Sequence, residues 1–300
     1  MTDRPATDRP APGRLIDVGG YRLHVVDEGS GPPLMLMAAL GSNWFDLDPL
    51  AARLRDRWRV IRYDRPGYGL SGRLIRGRPH TLAGEVHRMV GVLDELGVTE
   101  PVTIAAHSMA SLYAEGFART HPTRTAGVLM LDGSFVLAPW RLVPTGFRVG
   151  NAHRLIGLAE AVGTRLGVRR RGTNVFRGRF LPAPPEGFDE HQQYWTRRVF
   201  GSPQMLLALL AENAAFPRIN GDLRRWRRRR PMPPPADCPV VVVVALPGPR
   251  PWNEFWLWKQ QRYADVLGGR VAKIEPAHHF VVLDRPDDVA AIIDEVRPAY

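Results

Sequence analysis

The 300-residue sequence has a single cysteine, Cys238, so an internal disulfide bond is excluded. Lysine is nearly absent: only Lys259 and Lys273 occur, and arginine supplies almost all of the positive charge behind a formal net charge of +11. Long apolar runs are also missing, since the longest, Val240–Leu246, is far shorter than the roughly 20 residues of a membrane-spanning helix. Residues 1–13 are polar and proline-rich, without the apolar core of a signal peptide. We therefore expect a cytoplasmic protein that begins with a disordered tail.

Short apolar runs alternate with amphipathic helical patterns along most of the chain. The runs predict strands at 21–26, 33–38, 58–63, 102–107, 127–132, 239–245 and 270–275. Residues 82–96 carry one apolar face at helical spacing, with Thr81 as the cap and Gly97 at the end. Buried strands that alternate with helices predict an α/β fold with an open, mostly parallel sheet flanked by helices. We assign 14–135 and 236–300 to this core.

Segment 136–235 interrupts the alternation and holds most of the excess arginine. Residues 155–166 and 205–215 have helical patterns, separated by proline- and glycine-rich stretches. We expect a helical, arginine-rich cap inserted between two strands, at the carboxyl edge of the sheet. The segment ends in the run Arg224–Arg230, which we interpret as a solvated face or linker. Contact of this run with an anionic ligand or a membrane surface is the alternative, and no nucleic-acid-binding module is visible.

A predicted strand runs directly into Ser108 and then into a helical pattern. Such a turn lifts a serine hydroxyl above the end of a sheet and points the first N–H groups of a helix at the group that the serine attacks. Alanines, Ala106 and Ala110, stand where the pattern Gly-x-Ser-x-Gly has glycines, and they are small enough for a crowded turn. A serine that merely caps the helix is the alternative interpretation.

A carboxylate and a histidine follow two further predicted strands. Asp132 ends the strand after Ser108, and His279 lies in the loop after the last strand. A serine hydroxyl becomes a nucleophile when a histidine removes its proton, and that histidine needs a carboxylate to fix its tautomer. The order Ser108, Asp132, His279 therefore predicts a catalytic triad. Two alternatives stay open: that Asp132 only caps the turn that follows its strand, and that Glu254 is the carboxylate that orients the histidine.

Together these motifs resemble the α/β-hydrolase superfamily, in its group of capped, esterase- and lipase-like serine hydrolases. The resemblance runs from about residue 14 to the end and is carried by the serine turn, by Asp64–Ser71 (DRPGYGLS) and by His279-Phe280 followed by Leu283–Pro286. Most relatives have their acid after the strand that follows the cap, where residues 246–252 contain no carboxylate. The resemblance then implies Asp132, the position that some relatives use.

The resemblance also implies an oxyanion hole formed by the backbone N–H groups of Leu40 and Met109. This chain departs from the family just before Leu40, because Ala38-Ala39 stand where a His-Gly pair is usual. Backbone N–H groups, not side chains, bind the oxyanion at this site, so an oxyanion hole can form with Ala38-Ala39 in place of His-Gly.

A serine at the turn implies acyl transfer to and from a small ester or related acyl substrate, because family members that open epoxides use an aspartate there. No cofactor is expected, and no metal, since His107 and His278 lack ligand partners at helical spacing. Trp44, Phe45 and His107 are weaker candidates for the substrate pocket, with core packing as the alternative for the two aromatic residues. Two other functions stay open: ligand binding without turnover, and C–C hydrolysis or cofactor-free oxidative chemistry on the same fold.

Overall fold

The computed structural model describes residues 10–75, 77–134, 187–234 and 237–298. Within them, eight strands form one sheet in the order β1-β2-β4-β3-β5-β6-β7-β8. The strands are β1 (Arg14–Val18), β2 (Tyr21–Glu28), β3 (Pro33–Met37), β4 (Arg59–Tyr63), β5 (Val102–His107), β6 (Thr125–Leu131), β7 (Val240–Ala245) and β8 (Arg270–Ile274). The pairings of β2 with β1 and β4 are antiparallel, and all others are parallel. The predicted mostly parallel α/β sheet is confirmed.

Helices cover both faces of this sheet. They are α1 (Asp48–Leu54), α2 (Leu82–Glu95), α3 (Ser111–Thr120), α4 (Glu190–Phe200), α5 (Pro203–Arg229), α6 (Arg250–Leu267), α7 (Val281–Asp284) and α8 (Pro286–Asp294). Helices α2, α3 and α6 bury apolar side chains against one face, and α1, α7 and α8 against the other. Strands β3, β5 and β7 are buried along their whole length, which explains the continuous apolar sequences of β3 and β7. Among the described helices, none is long and apolar enough to cross a membrane.

Helices α4 and α5 lie between β6 and β7 in the chain, inside the predicted cap. Residues 135–186 and 235–236, with the helical pattern at 155–166, lie outside the described residues. Helix α5 is longer than the predicted 205–215 and passes through Pro217. Aromatic side chains of α4 pack against those of the loops after β3 and β4, which places α4 at the carboxyl edge of the sheet.

Residues 224–229 form the end of α5 and Arg230 caps it, so the linker interpretation is wrong, whereas most of these arginines are exposed, as the solvated-face interpretation predicts. Arg227 donates from Nε and Nη2 to the two oxygens of Glu115 on α3, each at 2.7 Å. Glu115 is buried, and Arg119 is its other cationic partner. A buried carboxylate requires such partners, and this need draws Arg227 inward, whereas Arg228 and Arg229 are exposed.

Part of the predicted tail packs on the sheet. Of the expected tail at 1–13, residues 1–9 lie outside the described part, but Pro12 and Gly13 pack on β2. The carbonyl oxygen of Pro12 accepts a hydrogen bond from His24 Nε2 at 2.6 Å. Gly13 has φ +79°, and a Cβ atom there would lie 2.1 Å from the carbonyl oxygen of Val25. The tail prediction is therefore wrong for these two residues.

Candidate active site

Strand β5 ends in a strained turn that carries Ser108. The serine has φ +54°, a left-handed conformation that residues other than glycine rarely adopt. Its carbonyl oxygen accepts hydrogen bonds from Ser134 N at 3.1 Å and Ser111 Oγ at 2.6 Å, which hold the turn. Ala106 and Ala110 are fully buried, so the packing around the turn explains why both positions are small.

The three residues predicted to form a triad come together at the carboxyl ends of three strands. His279 Nε2 lies 3.0 Å from Ser108 Oγ. On the other side of the ring, Nδ1 lies 2.5 Å from Asp132 Oδ2. Asp132 is buried, whereas the imidazole and the serine hydroxyl remain accessible. This arrangement can move a proton from the serine to the histidine while the carboxylate holds the ring.

Asp132 has further donors that the sequence analysis missed. The indole Nε1 of Trp256 on α6 donates to Oδ1 at 2.7 Å, and the backbone N of Ala245 lies 3.3 Å from the same oxygen. Lys259 Nζ sits 3.8 Å from the ring centre of Trp256. Burial lowers the pKa of Lys259, although the Asp132 charge opposes the shift. Trp256 belongs to an aromatic-rich helical stretch, and nothing local in the sequence marks it as a partner of Asp132.

The loop after β3, Ala38–Gly41, has the position expected for an oxyanion loop. Arg65 donates from Nη1 to the Ala38 carbonyl at 2.6 Å and from Nη2 to the Ala39 carbonyl at 2.9 Å. Gly41 has φ +77°, and a Cβ atom there would lie 2.7 Å from Leu209 Cδ1 of α5. The loop is therefore fixed by Arg65 beneath it and closely covered by α5.

A model of the alpha/beta hydrolase family matches residues 23–292. The chain is a member of the alpha/beta hydrolase family. A thermophilic esterase from Thermogutta terrifontis superposes with a TM-score of 0.67 at 21% identity, covering 95% of this chain and 100% of that one. That likeness shows the shared fold, and the family predicted from the sequence is confirmed.

Two curated relatives of this α/β-hydrolase are named for two different reactions. Epoxide hydrolase B of Mycobacterium tuberculosis is 28% identical over 127 residues, which cover 41% of this chain and 35% of that protein. The cis-3-alkyl-4-alkyloxetan-2-one decarboxylase of Shewanella oneidensis is 28% identical over 132 residues, covering 43% and 42%. The chain thus matches less than half of the length of either relative.

His107, a pocket candidate in this α/β-hydrolase, lies behind His279 rather than in an open pocket. It is fully buried, and its Nε2 donates to the His279 carbonyl oxygen at 2.7 Å. Burial, together with the nearby His279 ring, lowers the pKa of His107 to about 3. A neutral His107 therefore holds the backbone of His279 in place.

The other candidates lie apart from the triad. Glu254 is exposed on α6, and its Oε1 accepts from Arg250 Nε at 2.9 Å, so it does not serve His279. Trp44 and Phe45 are fully buried in a 3-10 helix, where Trp44 packs against Trp195 of α4 with ring centres 5.7 Å apart. For the aromatic pair, the structure therefore shows the core-packing alternative. Among the described residues, no cluster of His, Cys, Asp and Glu could hold a metal ion.

Proposed function

We propose that this α/β-hydrolase is a serine hydrolase that cleaves a carboxylic ester, or a related small acyl compound, through an acyl-enzyme intermediate. The observation that carries the proposal is the hydrogen-bonded chain from Ser108 Oγ through His279 to Asp132, with distances of 3.0 and 2.5 Å. A nucleophile, a base and a group that orients the base are the three parts that acyl transfer needs.

In the proposed reaction, Ser108 Oγ attacks the substrate carbonyl carbon while His279 Nε2 takes the serine proton. The carbonyl oxygen gains negative charge, and the backbone N–H groups of Leu40 and Met109 stabilise it. When the intermediate collapses, the C–O bond to the alcohol breaks and His279 returns the proton to the leaving oxygen. Water then attacks the acyl-serine with the same base, which releases the acid and regenerates Ser108.

The chemistry of the nucleophile favours esters over epoxides, although several relatives are named epoxide hydrolases. Attack of Ser108 on an epoxide carbon would leave an alkyl ether on the enzyme, and a histidine-activated water does not cleave an ether. Attack on a carbonyl carbon leaves an ester, which the same histidine and water can hydrolyse. The serine therefore supports acyl transfer as the reaction class.

The proposal is tested by labelling the folded protein with a fluorophosphonate probe and reading the intact mass. We expect one adduct on the wild type, none on Ser108→Ala, and one on Thr99→Ala, a control that removes an exposed hydroxyl ahead of β5. A panel of p-nitrophenyl esters of increasing acyl length then defines the substrate range. A folded wild type that takes no adduct and cleaves no ester would contradict the proposal and favour ligand binding without turnover.

A further inference from the structure

A fully buried carboxylate on α5 reaches the underside of the oxyanion loop. Glu212 lies with Oε2 3.1 Å from Arg65 Nη2 and Oε1 2.8 Å from Arg65 Nε. It also accepts hydrogen bonds from the hydroxyls of Tyr68 and, at 2.8 Å, Tyr113. Burial alone would raise the pKa of Glu212, but Arg65 and His80, together with the bond from Tyr68, hold it below its usual value. The carboxylate is therefore ionised and fully partnered.

Arg65 connects this carboxylate to the geometry of the loop. Its guanidinium holds the carbonyl oxygens of Ala38 and Ala39. The Ala39 carbonyl and the Leu40 N–H belong to one planar trans peptide unit, so they point in opposite directions. Fixing the Ala39 oxygen on the Arg65 side therefore directs the Leu40 N–H to the other side of the loop. The Ser42 backbone N–H also donates to the Ala39 carbonyl, at 3.1 Å, and these two contacts set the orientation together because neither alanine has a polar side chain.

A second contact acts on the next residue. The Tyr68 hydroxyl, which donates to Glu212, also lies close enough to the Gly41 backbone N–H for that group to act on the pKa of the phenol. Groups that pair with Glu212 thus lie against the peptide units on both sides of Leu40. Helix α5 presses on the same loop through Leu209 against Gly41.

We propose that Glu212 is a positioning residue, which through Arg65 and Tyr68 sets the direction of the Leu40 N–H in the oxyanion hole. Stabilisation of the transition state then depends on the docking of α5 onto the core. The inference rests on the proposed serine-hydrolase function and deepens it, because it makes a buried ion pair from the inserted segment part of the catalytic geometry.

The chain offers a matched control in a second buried carboxylate. Glu85 on α2 pairs with Arg88 at 2.6 Å and accepts the Tyr63 hydroxyl at 2.5 Å, so it has the same kinds of partners. None of these hydrogen bonds reaches the oxyanion loop. The charge of Glu85 still acts on Arg65 through space, so Glu85→Gln reports the cost of neutralising a buried glutamate near the same cation while every hydrogen bond to the loop stays in place.

The test compares Glu212→Gln with Glu85→Gln and wild type, using kcat and KM for a p-nitrophenyl ester and two inhibitors. A trifluoromethyl ketone forms a tetrahedral oxyanion on Ser108, whereas the substrate amide binds only as a ground-state analogue. We expect Glu212→Gln to lower kcat about 10- to 100-fold, with KM within about threefold, because a misdirected donor costs part of the roughly 10²–10³ of a lost one. The inhibition constant of the ketone should rise by the same factor, and that of the amide should not.

Each outcome decides the proposal. Three results with folded Glu212→Gln overturn it. They are a wild-type kcat, an effect confined to KM, and a loss of kcat no larger than that of Glu85→Gln. If Glu212→Gln does not fold, we use the double variant Arg65→Met/Glu212→Met, which we expect to fold because it removes both buried charges and leaves neither unpaired. Wild-type kcat in that folded variant also overturns the inference. If the wild type neither cleaves an ester nor is labelled at Ser108, the proposed function and this inference both fail. If the wild type is active, the Glu212 variants test this inference alone.

Discussion

Replacement of Asp132 by asparagine should stop the proposed reaction by reversing the histidine tautomer. The two oxygens of Asp132 have different partners: Oδ1 faces the N–H groups of Trp256 and Ala245, and Oδ2 faces His279 Nδ1. In Asp132→Asn, the amide oxygen has to take the Oδ1 position, because the two N–H groups there cannot accept a hydrogen bond. The amide NH₂ then faces His279 Nδ1, which becomes an acceptor, and the ring proton moves to Nε2. A protonated Nε2 cannot take the proton of Ser108.

The magnitude follows from this geometry. Loss of the correct tautomer in a triad lowers kcat by about 10⁴, which corresponds to about 5.5 kcal/mol of transition-state stabilisation. Stability should change much less, by about 1 to 2 kcal/mol, because every polar atom around position 132 keeps a partner in the variant. A large loss of rate with a small loss of stability is the expected signature.

The assay is the kcat of an ester that the wild type cleaves, combined with urea unfolding and ¹⁵N spectra of histidine-labelled protein. We expect the proton of the His279 ring on Nδ1 in the wild type and on Nε2 in Asp132→Asn. Glu254→Gln is the matched control, because Glu254 is the alternative acid and pairs only with exposed Arg250 among its described contacts. A fall in kcat of less than tenfold in folded Asp132→Asn, or a comparable fall in Glu254→Gln, would refute the reasoning.

Two further predictions concern neighbours of the site, and a third concerns the contact between α5 and α3. Trp256→Phe removes the indole donor to Asp132. We expect the free energy of unfolding to fall by about 2 kcal/mol and kcat to fall about tenfold. Unchanged values would show that this hydrogen bond is dispensable. The pKa of His107 is lowered to about 3 in the folded protein, whereas an unfolded histidine has a pKa of about 6.5. As the pH falls below about 6.5, His107 therefore binds a proton in the unfolded chain but not in the folded one, which favours unfolding. Between pH 7.5 and 5.5 the wild type should therefore lose about 1.4 kcal/mol more stability than His107→Gln, measured by urea unfolding, and equal losses would contradict the prediction. Arg227→Ser breaks the pair with buried Glu115 and should lower the free energy of unfolding by about 2 kcal/mol, less than for an unpaired buried charge because Arg119 remains. Exposed Arg228→Ser should change the free energy of unfolding by less than about 0.5 kcal/mol. Similar changes in both variants would reject the contact between Arg227 and Glu115.

The grouping of Ser108, Asp132 and His279 was predictable because each of these residues carries a local signal. Ser108 and Asp132 each follow an apolar run that is typical of a buried strand, His279 lies in the loop after a further predicted strand, and parallel strands bring their carboxyl ends to one edge of a sheet. The absence of a carboxylate at 246–252 then left Asp132 as the favoured acid. Periodicity and chain order were sufficient for these residues, since the sheet converts sequence order into spatial proximity.

The supporting residues were not predictable in the same way, because their roles depend on partners far away in the chain. Trp256 meets Asp132 across 124 residues, and Glu212 meets Arg65 across 147. Within their own helices these side chains resemble ordinary packing and surface positions. Arg227 was misread for the same reason: a charge run indicates a solvated surface until a buried carboxylate on another helix is known.

Backbone strain links the site to the rest of the fold. Of the described residues other than glycine, Ser108 and Asp132 alone have left-handed φ values, +54° and +46°. Each such conformation costs of order 1–3 kcal/mol and persists only where surrounding contacts over-determine it. The carbonyl of Ser108 is held by Ser134 and Ser111, and the N–H of Asp132 donates to the Val243 carbonyl of β7 at 2.8 Å. Since β7 and His279 follow the inserted segment in the chain, the contact of Asp132 with β7 and those of His279 with Asp132 and Ser108 form only after both halves of the core have joined.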